Sequence, residues 1–370
     1  MGEALNHAAP ALDNGYDRLS MRSTPNAAPA TPDHWLKRNR RACTLRPLAG
    51  LYGWLVSLNQ KLYQWRLKAR HRLPVPVIVV GNVIAGGAGK TPTTIAIVNH
   101  LQAHGWQPGI ISRGYGRRMV HAAGQGCDVR AVTAEDAAQW VGDEPLLMAR
   151  QTHNIPIYVG RRRAEAGRAL LNRHPQVNVL VCDDGLQHHA LVRDLEICVF
   201  DERGLGNGWL LPAGPLRENW PRRVHPAPPM LILHTGVQRA AAFADVGWHA
   251  QRQLADHAID AHGNQIALAQ LRTCTPNPAL VAIAGIARPS AFFEMLRQTG
   301  VHAAQEQGFA DHHAYQASDL SPYHQQTLLC TEKDAVKIWP HRPDALAVPM
   351  KLDIPDAFWQ QLERKLNAIR

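Results

Sequence analysis

Short apolar runs recur along the chain, and each is followed by a stretch whose apolar residues have helical spacing. The runs are five or six residues long and rich in branched aliphatic side chains, as is typical of buried parallel strands. Strands that alternate with helices predict a parallel α/β sheet, with a ligand at the carboxyl ends of the strands. The predicted strands are Val75–Val80, Pro108–Ser112, Ile155–Val159, Val177–Cys182 and Leu195–Phe200, with a helix at Arg161–Leu171.

The N-terminal part has a different pattern. From Pro47 to Trp65, large apolar residues recur every three or four positions, which predicts a helix with one apolar face. Residues 34–72 also contain ten Lys and Arg but no Asp or Glu, so they hold the whole net charge of +10. Anionic lipid headgroups would attract such a helix, which we expect to lie on or shallowly in a membrane; packing against its own domain is the alternative. The apolar face consists of Leu48, Leu51, Leu55, Leu58, Leu62 and Trp65.

Composition narrows the classes of protein. An apolar fraction of 45% with 19% charged residues supports a folded core, and the absence of an 18-residue apolar run excludes a polytopic membrane protein. Six dispersed cysteines without a C-x-x-C pair indicate neither a disulfide framework nor a zinc module. Outside residues 34–72 the charges balance to zero, which argues against a nucleic-acid-binding protein. His100 and His104 lie four apart on a predicted helix without an H-E-x-x-H motif, and we assign them to the surface.

The first predicted strand leads into GNVIAGGAGKT, residues 81–91, and then into a helical stretch. This is the context of a P-loop, whose backbone N–H groups bind phosphates at a helix N-terminus. Lys90 would reach the β- and γ-phosphates of ATP, and the Thr91 hydroxyl would bind Mg²⁺. The strict motif has glycine where this chain has Ile84, so the loop is a variant. The residues predicted to bind the nucleotide here are Gly86, Gly87, Ala88, Gly89, Lys90, Thr91 and Pro92.

Another strand ends in the pair Asp183 and Asp184, an arrangement typical of the Walker B motif that positions Mg²⁺. Polar clusters also stand where loops are predicted to follow strands. They are VGDEP (141–145), DDGLQHH (183–189) and PAGPLRE (212–218), and FADHHAY (309–315) follows later in the chain.

Together these motifs resemble those of the tetraacyldisaccharide 4′-kinase family. ISRGYGR (111–117), AGIARPSAFF (284–293) and TEKDAVK (331–337) complete the set, in the family's order, and the resemblance runs from about Leu45 to about Lys337. It implies a membrane-associated kinase with two α/β/α domains. ATP and a lipid disaccharide would meet in the cleft between the domains. The product would be lipid IVA, made in lipid A biosynthesis by phosphorylation of the 4′-hydroxyl of tetraacyldisaccharide 1-phosphate.

The resemblance also assigns roles to side chains. Asp143 is expected to be the base for the 4′-hydroxyl, and His312 or His313 of the other domain would orient or polarise it once the domains close. Lys90, with Arg217 beside it, would stabilise the charge on the transferring phosphoryl group. The residues expected around Mg²⁺ are Thr91, Asp183, Asp184, Gln187 and Glu218.

The expected architecture is a P-loop parallel-sheet domain, a second, smaller α/β domain and the N-terminal membrane-associated helix. The proline-rich stretch Pro221–Pro229 is the predicted joint, and residues 275–289 offer the second domain a strand before a helix at Ser290–Thr299. The predicted ranges are 1–33 for a disordered leader, 34–72 for the basic helix, 73–222 for the P-loop domain, 223–321 for the smaller domain and 322–370 for a C-terminal segment that belongs to either domain.

The expected partners are the lipid disaccharide and the anionic lipids of the inner membrane, on whose cytoplasmic face a monomer would work; no nucleic acid is expected. On the residues alone, two other classes stay open. A P-loop partition or metallochaperone-type NTPase would hydrolyse nucleotide without a lipid acceptor. A basic nucleic-acid-binding protein would bind with a steep salt dependence that survives loss of the loop.

Overall fold

A computed structural model describes five parts of the chain, and the fold concerns those parts. They are residues 31–118, 128–222, 227–236, 246–272 and 279–369. The predicted leader lies almost entirely outside the described residues, as do residues 223–226 of the predicted joint.

Eight strands form the larger sheet. They are β1 (Val77–Gly81), β2 (Pro108–Ser112), β3 (Arg130–Val132), β4 (Ile157–Val159), β5 (Val179–Asp183), β6 (Leu195–Phe200), β7 (Met230–His234) and β8 (Trp248–His249). Their order is β3-β4-β2-β5-β1-β6-β7-β8, and all neighbours are parallel except β3, which is antiparallel to β4. All five strands predicted from apolar runs are confirmed. Every residue of β1, β2, β5 and β6 is buried, which is why those runs are continuous rather than alternating.

Twelve helices accompany the strands in the described residues. They are α1 (Asp33–Leu36), α2 (Arg40–Thr44), α3 (Arg46–Gln64), α4 (Lys90–Ala103), α5 (Ala138–Val141), α6 (Asp143–Gln151), α7 (Arg163–Arg173), α8 (Leu268–Arg272), α9 (Pro289–Gln298), α10 (Ala317–Leu320), α11 (Glu332–Ile338) and α12 (Asp356–Asn367). The predicted helices at Arg161–Leu171 and Ser290–Thr299 correspond to α7 and α9.

The larger sheet has an apolar core on each face. One core includes Ile97 of α4, Leu146 of α6 and Phe358 of α12, all fully buried. The other includes Leu170 of α7 and Leu180 of β5, also fully buried. We call the larger sheet and the helices that cover it the first unit. Because both faces are covered, its ligands can approach only at the strand ends.

The second unit is built on a six-stranded sheet. Its strands are β10 (His257–Ile259), β11 (Gln265–Ala267), β12 (Leu280–Ala284), β13 (Gln305–Gly308), β14 (Thr327–Thr331) and β15 (Leu346–Val348). The order is β11-β10-β15-β14-β12-β13, and the four neighbouring strands β15, β14, β12 and β13 run parallel. β12 is the strand predicted within residues 275–289. The prediction of a mixed α/β protein is confirmed, and most neighbouring strands in both sheets run parallel.

The edge of the first sheet does not coincide with the predicted domain boundary at residue 222. β7 and β8 follow that residue, yet β7 pairs in parallel with β6, and β8 pairs with β7. Residues 230–234 were not among the predicted strands, and the sheet that they join depends on their pairing with β6. The first unit therefore continues to about residue 249.

The C-terminal segment divides between the two units. β14 and β15 belong to the second sheet, whereas Phe358, Leu362 and Leu366 of α12 are fully buried in a core of the first unit. Two further strands, β9 (Gln251–Leu254) and β16 (Met350–Asp353), pair antiparallel where the chain enters and leaves the second unit. The second unit is thus inserted into the first.

The N-terminal helix α3 lies against the loop that follows β6. Ala49 and Gly53 are its buried residues, and a Cβ on Gly53 would lie 2.6 Å from Leu210 Cδ1. Tyr52 Oη donates a hydrogen bond to the carbonyl oxygen of Arg217 (2.9 Å). The helix predicted from Pro47 to Trp65 is therefore present, and its small residues face the protein. In the described part of the chain, no helix is both long and apolar enough to cross a membrane.

Candidate active site

A glycine-rich loop of residues 82–89 joins β1 to α4. Gly86 and Gly89 have φ angles of +95° and +82°, which glycine adopts readily and residues with a Cβ do not. A Cβ on Gly89 would also lie 2.8 Å from the Thr235 hydroxyl, which donates a hydrogen bond to the carbonyl oxygen of Ala88 (2.8 Å). The first N–H groups of α4 have no acceptor within the helix, so the loop presents them at a site suited to an anion.

Lys90, Asp184 and Arg217 are in contact at the end of this loop. Lys90 Nζ lies 3.8 Å from Asp184 Oδ1, and Arg217 Nη1 lies 3.2 Å from the same oxygen. Burial opposes the ionisation of Asp184, but the two cations outweigh it and lower the pKa of this carboxyl below its ordinary value. Three residues predicted from separate motifs thus form one charged cluster.

Asp183 lies beside this cluster, at the buried end of β5. Thr94 Oγ1 donates to its Oδ1 (3.0 Å), while Oδ2 has no hydrogen-bond partner among the described residues. Burial, together with the negative charges of Glu144 and Asp184, raises the pKa of Asp183 to about 7. A cation next to Asp183 would favour its charged form, so this carboxylate has the properties of a metal ligand.

Asp143 meets residues of the second unit. It begins α6 directly after Gly142, whose φ of +96° favours glycine. Asp143 Oδ2 lies 3.2 Å from His312 Nδ1 and 3.1 Å from Lys337 Nζ. Burial alone would raise the pKa of Asp143, but the hydrogen bonds and charges of His312 and Lys337 outweigh burial and lower it. Asp143 is therefore ionised at neutral pH and can accept a proton.

His312 is held by a partner on each ring nitrogen. Because a carboxylate only accepts hydrogen bonds, the Nδ1 that faces Asp143 carries the proton. Nε2 then accepts from Lys333 Nζ, at 3.2 Å, and that ammonium lies 3.3 Å from Asp311 Oδ1. Burial lowers the pKa of Lys333, but neighbouring acids, Glu144 first among them, outweigh it and raise the pKa. The imidazole orientation and tautomer are thus fixed from both sides.

His313 faces away from Asp143. Its Nε2 lies 3.0 Å from Asp319 Oδ2, and its ring stands 4.9 Å from the Tyr315 ring, centroid to centroid. The sequence left open which of the two histidines contacts Asp143. The structure places His312 there, whereas His313 contacts Asp319 within its own unit.

Backbone strain is found at two of these residues. Asp184 has a φ of +46° and His312 a φ of +62°, in a region that residues with a Cβ rarely occupy. Such conformations cost on the order of 1–3 kcal/mol each and occur where function requires them. Asp184 and His312 come from different units, so both halves of the site carry this strain.

Gln187 and Glu218, predicted to surround Mg²⁺, have other partners. Gln187 Nε2 donates to Glu218 Oε1 at 2.7 Å, and Arg222 Nε donates to Glu218 Oε2 at 2.9 Å. Glu218 is 1% exposed and is therefore a buried ion-pair acceptor. Gln60 of α3 also donates to it, so this network connects the N-terminal helix to the loop that carries Arg217.

Two cavities meet this site. The first, about 180 Å³, is lined by the glycine-rich loop, Lys90, Thr91 and Glu144 on one side and by Ala287 and Lys333 of the second unit on the other. The second, about 630 Å³, is lined by residues from both units. They include Tyr115, Asp143, Arg150, His312 and Lys337. The consecutive residues Asp143 and Glu144 thus line different cavities, and the start of α6 separates them.

Sequence reasoning gave no role to Lys333 or Lys337. Both belong to the TEKDAVK motif, and their spacing of four places them on one face of α11. That spacing predicts that the two lysines lie on the same side of the helix. Only the structure shows that Lys337 contacts Asp143 and that Lys333 contacts Asp311. Thr94, one turn beyond Lys90, was missed in the same way.

The fold and the site together define a class. A parallel α/β sheet, a glycine-rich loop after a central strand, a buried lysine and an aspartate pair are typical of enzymes that transfer phosphoryl groups. The family model for Tetraacyldisaccharide-1-P 4′-kinase matches residues 41–367 of the chain. The chain belongs to this family, and the resemblance stated from the motifs is confirmed.

Individual relatives agree with the family. The tetraacyldisaccharide 4′-kinase of Acidovorax ebreus (strain TPSY) is 52% identical over 335 residues, which cover 90% of this chain and 94% of that protein. The protein of the same name from Delftia acidovorans is 46% identical over 340 residues, 91% of this chain and 94% of that protein. The crystal structure of LpxK from Aquifex aeolicus in complex with ATP matches with a TM-score of 0.72 and 26% identity, covering 89% of this chain and 99% of that one.

Proposed function

We propose that the chain transfers the γ-phosphoryl group of ATP to the 4′-hydroxyl of tetraacyldisaccharide 1-phosphate, which gives lipid IVA in lipid A biosynthesis. The observation that carries this proposal is the contact between Asp143 of the first unit and His312 of the second, next to the cavity that contains Lys90. A base assembled from two units is suited to an acceptor that binds between them. The names of the relatives supply the acceptor.

The glycine-rich loop is the proposed P-loop. N–H groups of Gly86–Lys90 would bind the β- and γ-phosphates, with Thr91 and Pro92 at the start of α4 completing the site. Lys90, held 3.8 Å from Asp184, would move its charge to the transferring group when ATP binds. Arg217 contacts the same carboxylate and would assist Lys90.

Thr91, Asp183 and Asp184 are the proposed Mg²⁺ donors. They fit the ion because hydroxyl and carboxylate oxygens are the ligands that Mg²⁺ prefers, and because Asp183 Oδ2 is buried without a hydrogen-bond partner in the described part of the chain. When bound, Mg²⁺ would neutralise charge on the phosphates. Gln187 and Glu218 are left out of this set because they are engaged with each other and with Arg222.

Asp143 is the proposed general base. It is ionised because Lys337 and His312 stabilise its charge, and it would take the proton of the 4′-hydroxyl as the oxygen attacks phosphorus. His312 would orient this carboxylate through Nδ1, and Lys333 holds the opposite edge of its ring. The larger cavity, with Asp143 at its wall, would receive the acceptor sugar.

Membrane association through α3 is also proposed, at the cytoplasmic face of the inner membrane. Leu48, Leu51, Trp54 and Leu55 are between 49% and 60% exposed while the small residues of the same helix face the protein. A surface of this kind together with ten basic residues in 34–72 suits anionic lipid headgroups. We propose that the protein works there as a monomer.

The activity is tested with the purified chain, ATP, Mg²⁺ and detergent-dispersed tetraacyldisaccharide 1-phosphate. Mass spectrometry should detect one added phosphoryl group, and hydrolysis of the product should place it at the 4′ position. Release of inorganic phosphate without a phosphorylated lipid would favour a nucleotide hydrolase instead. Omission of Mg²⁺ and the variant Asp143→Asn are the matched controls, and both should lose the lipid product.

Membrane binding is tested by flotation with anionic vesicles. The double variant Leu51→Ser and Leu55→Ser removes exposed apolar area without touching the buried face of α3, so it should float less while keeping its melting temperature. The control Val246→Ser removes an apolar side chain that is 49% exposed elsewhere, and it should float like the wild type. Equal flotation of both variants would contradict a lipid-facing α3.

A further inference from the structure

Two histidines and a glutamate meet away from the active site, between α4 and α12. His100 lies in the last turn of α4, His104 caps that helix, and Glu363 lies on α12. His100 Nε2 is 2.7 Å and His104 Nε2 is 3.6 Å from Glu363 Oε1, and one ligand atom of each residue lies within 4.8 Å of the others. The sequence placed the two histidines at the surface because it could not show that α12 returns to α4.

His104 is fixed in a form that can bind a metal. Its Nδ1 lies 2.8 Å from the carbonyl oxygen of His100. Because a carbonyl oxygen only accepts, Nδ1 carries the proton, and Nε2 is the ring nitrogen left to bind a metal ion. A backbone carbonyl that orients the second ring nitrogen is the usual support of a metal-binding histidine.

His100 is fixed by stacking. The Trp359 ring lies parallel to it, with centroids 4.1 Å apart and an interplanar angle of 8°, and the His104 ring stands 4.0 Å away on the helix. His100 is 13% exposed, so the two rings and the surrounding side chains restrict the orientation of its imidazole.

We propose that His100, His104 and Glu363 form a binding site for a divalent transition-metal ion of the zinc class. Two imidazoles and one carboxylate are a common ligand set for Zn²⁺, and they disfavour Mg²⁺, which prefers oxygen ligands alone. Ligand atoms around a tetrahedral Zn²⁺ with bonds of about 2.0–2.1 Å stand about 3.3 Å apart. The separations of 2.7 and 3.6 Å bracket that value, so small side-chain rotations suffice.

The site is open on one side. His104 is 51% and Glu363 35% exposed, so an ion could enter from solvent and keep water in a fourth position. The bound ion would connect the end of α4, whose other end follows the glycine-rich loop, to the helix that closes the first unit. Ion binding would therefore strengthen the packing of α12 against α4. This site is separate from the proposed site of phosphoryl transfer.

Isothermal titration of the metal-stripped full chain with Zn²⁺, in the absence of nucleotide, tests the proposal. The wild type should bind one equivalent, and Zn²⁺ should raise its melting temperature. His104→Gln and Glu363→Gln should each weaken this binding at least about tenfold and abolish the rise in melting temperature. His262→Gln, which removes an exposed histidine of the second unit, is the control and should behave like the wild type. One-equivalent binding that survives both ligand variants, or no such binding to the wild type, would overturn the site.

A second readout locates the ion. Ni²⁺ or Cu²⁺ quenches the fluorescence of a nearby indole, and Trp359 stacks directly on His100. Saturating Ni²⁺ should quench the wild type but leave Trp359→Phe unquenched, although that variant should still bind Zn²⁺. The same loss of fluorescence in wild type and Trp359→Phe would show that the ion binds elsewhere, and the proposal would fail.

Discussion

Together with His312, Lys337 lowers the pKa of Asp143, the proposed base. Its Nζ lies 3.1 Å from Asp143 Oδ2, and the two side chains are only 10% and 16% exposed. At an effective dielectric constant of about 20, their attraction amounts to about 5 kcal/mol, of which desolvation cancels a large part. An opposite charge at this distance usually lowers the pKa of a carboxyl by about 1–3 units. Lys337→Met should therefore raise the pKa of Asp143.

The direction of the effect on activity follows from the proposed role of Asp143. The carboxyl accepts a proton only when ionised, and in the wild type its pKa is lowered, so it stays ionised into acid solution. In Lys337→Met the acid limb of kcat/KM should move upward by about 1–3 pH units, while activity near pH 8 stays within about tenfold of wild type. By contrast, Asp143→Asn should lower kcat roughly 10²–10⁴-fold at every pH.

The measurement is a profile of kcat/KM against pH, over about pH 4–9, with detergent-dispersed lipid acceptor. Ionisation of ATP and of the lipid phosphate affects all variants equally, so the comparison between variants isolates the enzyme group. Lys337→Arg keeps the charge and should keep the wild-type limb. Lys337 also lies 3.9 Å from the buried Asp334, so melting temperatures must accompany the rates. An acid limb that does not move in a folded Lys337→Met would refute the electrostatic reasoning.

Three further predictions concern other parts of the site. Lys90→Ala should nearly abolish lipid phosphorylation in the standard assay because the transferring group loses its fixed cation, and near-wild-type turnover would contradict the P-loop assignment. His312→Gln should lower kcat by roughly 10–10² fold, whereas His313→Gln should change mainly the melting temperature. Burial lowers the pKa values of His188 and His189 to about 4 and about 3, against about 6.5 in the unfolded chain. Because the unfolded chain then binds more protons, the free energy of unfolding should fall as the pH drops below about 6.5, and the double Gln variant should flatten that slope in urea titrations.

Local chemistry made much of the fold predictable. The strands β1 and β5 are buried on both faces of a parallel sheet. Strands in that environment are continuously apolar, so they can be recognised from the sequence. Gly89 and Lys90 are recognisable because the loop requires a residue without a Cβ and then a cation at fixed spacing. These constraints act within a few residues, so a single sequence shows them.

Long-range partners were not predictable in the same way. The apolar residues of β7 and α12 indicate that these two elements are buried. They do not indicate that both elements pack in the first unit. His312 and His313 are chemically identical neighbours, and the choice between them depends on the backbone at His312, whose φ is +62°. Glu218 was predicted to lie near Mg²⁺, and the sequence did not show that it is buried against Arg222 and Gln187. The pairing of β7, the packing of α12 and the contact of His312 with Asp143 all join residues that are far apart in the chain.

The paired strands β9 and β16 have a mechanical consequence. Both chain crossings between the units run through this one ladder, where residues 251–254 pair with residues 350–353. A two-stranded ribbon bends and twists more easily than its strands slide past each other, because sliding would break the hydrogen bonds between them. The ladder is therefore expected to act as a hinge that allows movement in few directions. We therefore expect any relative movement of the two units to be a bend about this ladder, which would carry His312 away from Asp143 and back along the same path. In the proposed reaction, such a path would let the contact between His312 and Asp143 open for the lipid and form again for the next turnover.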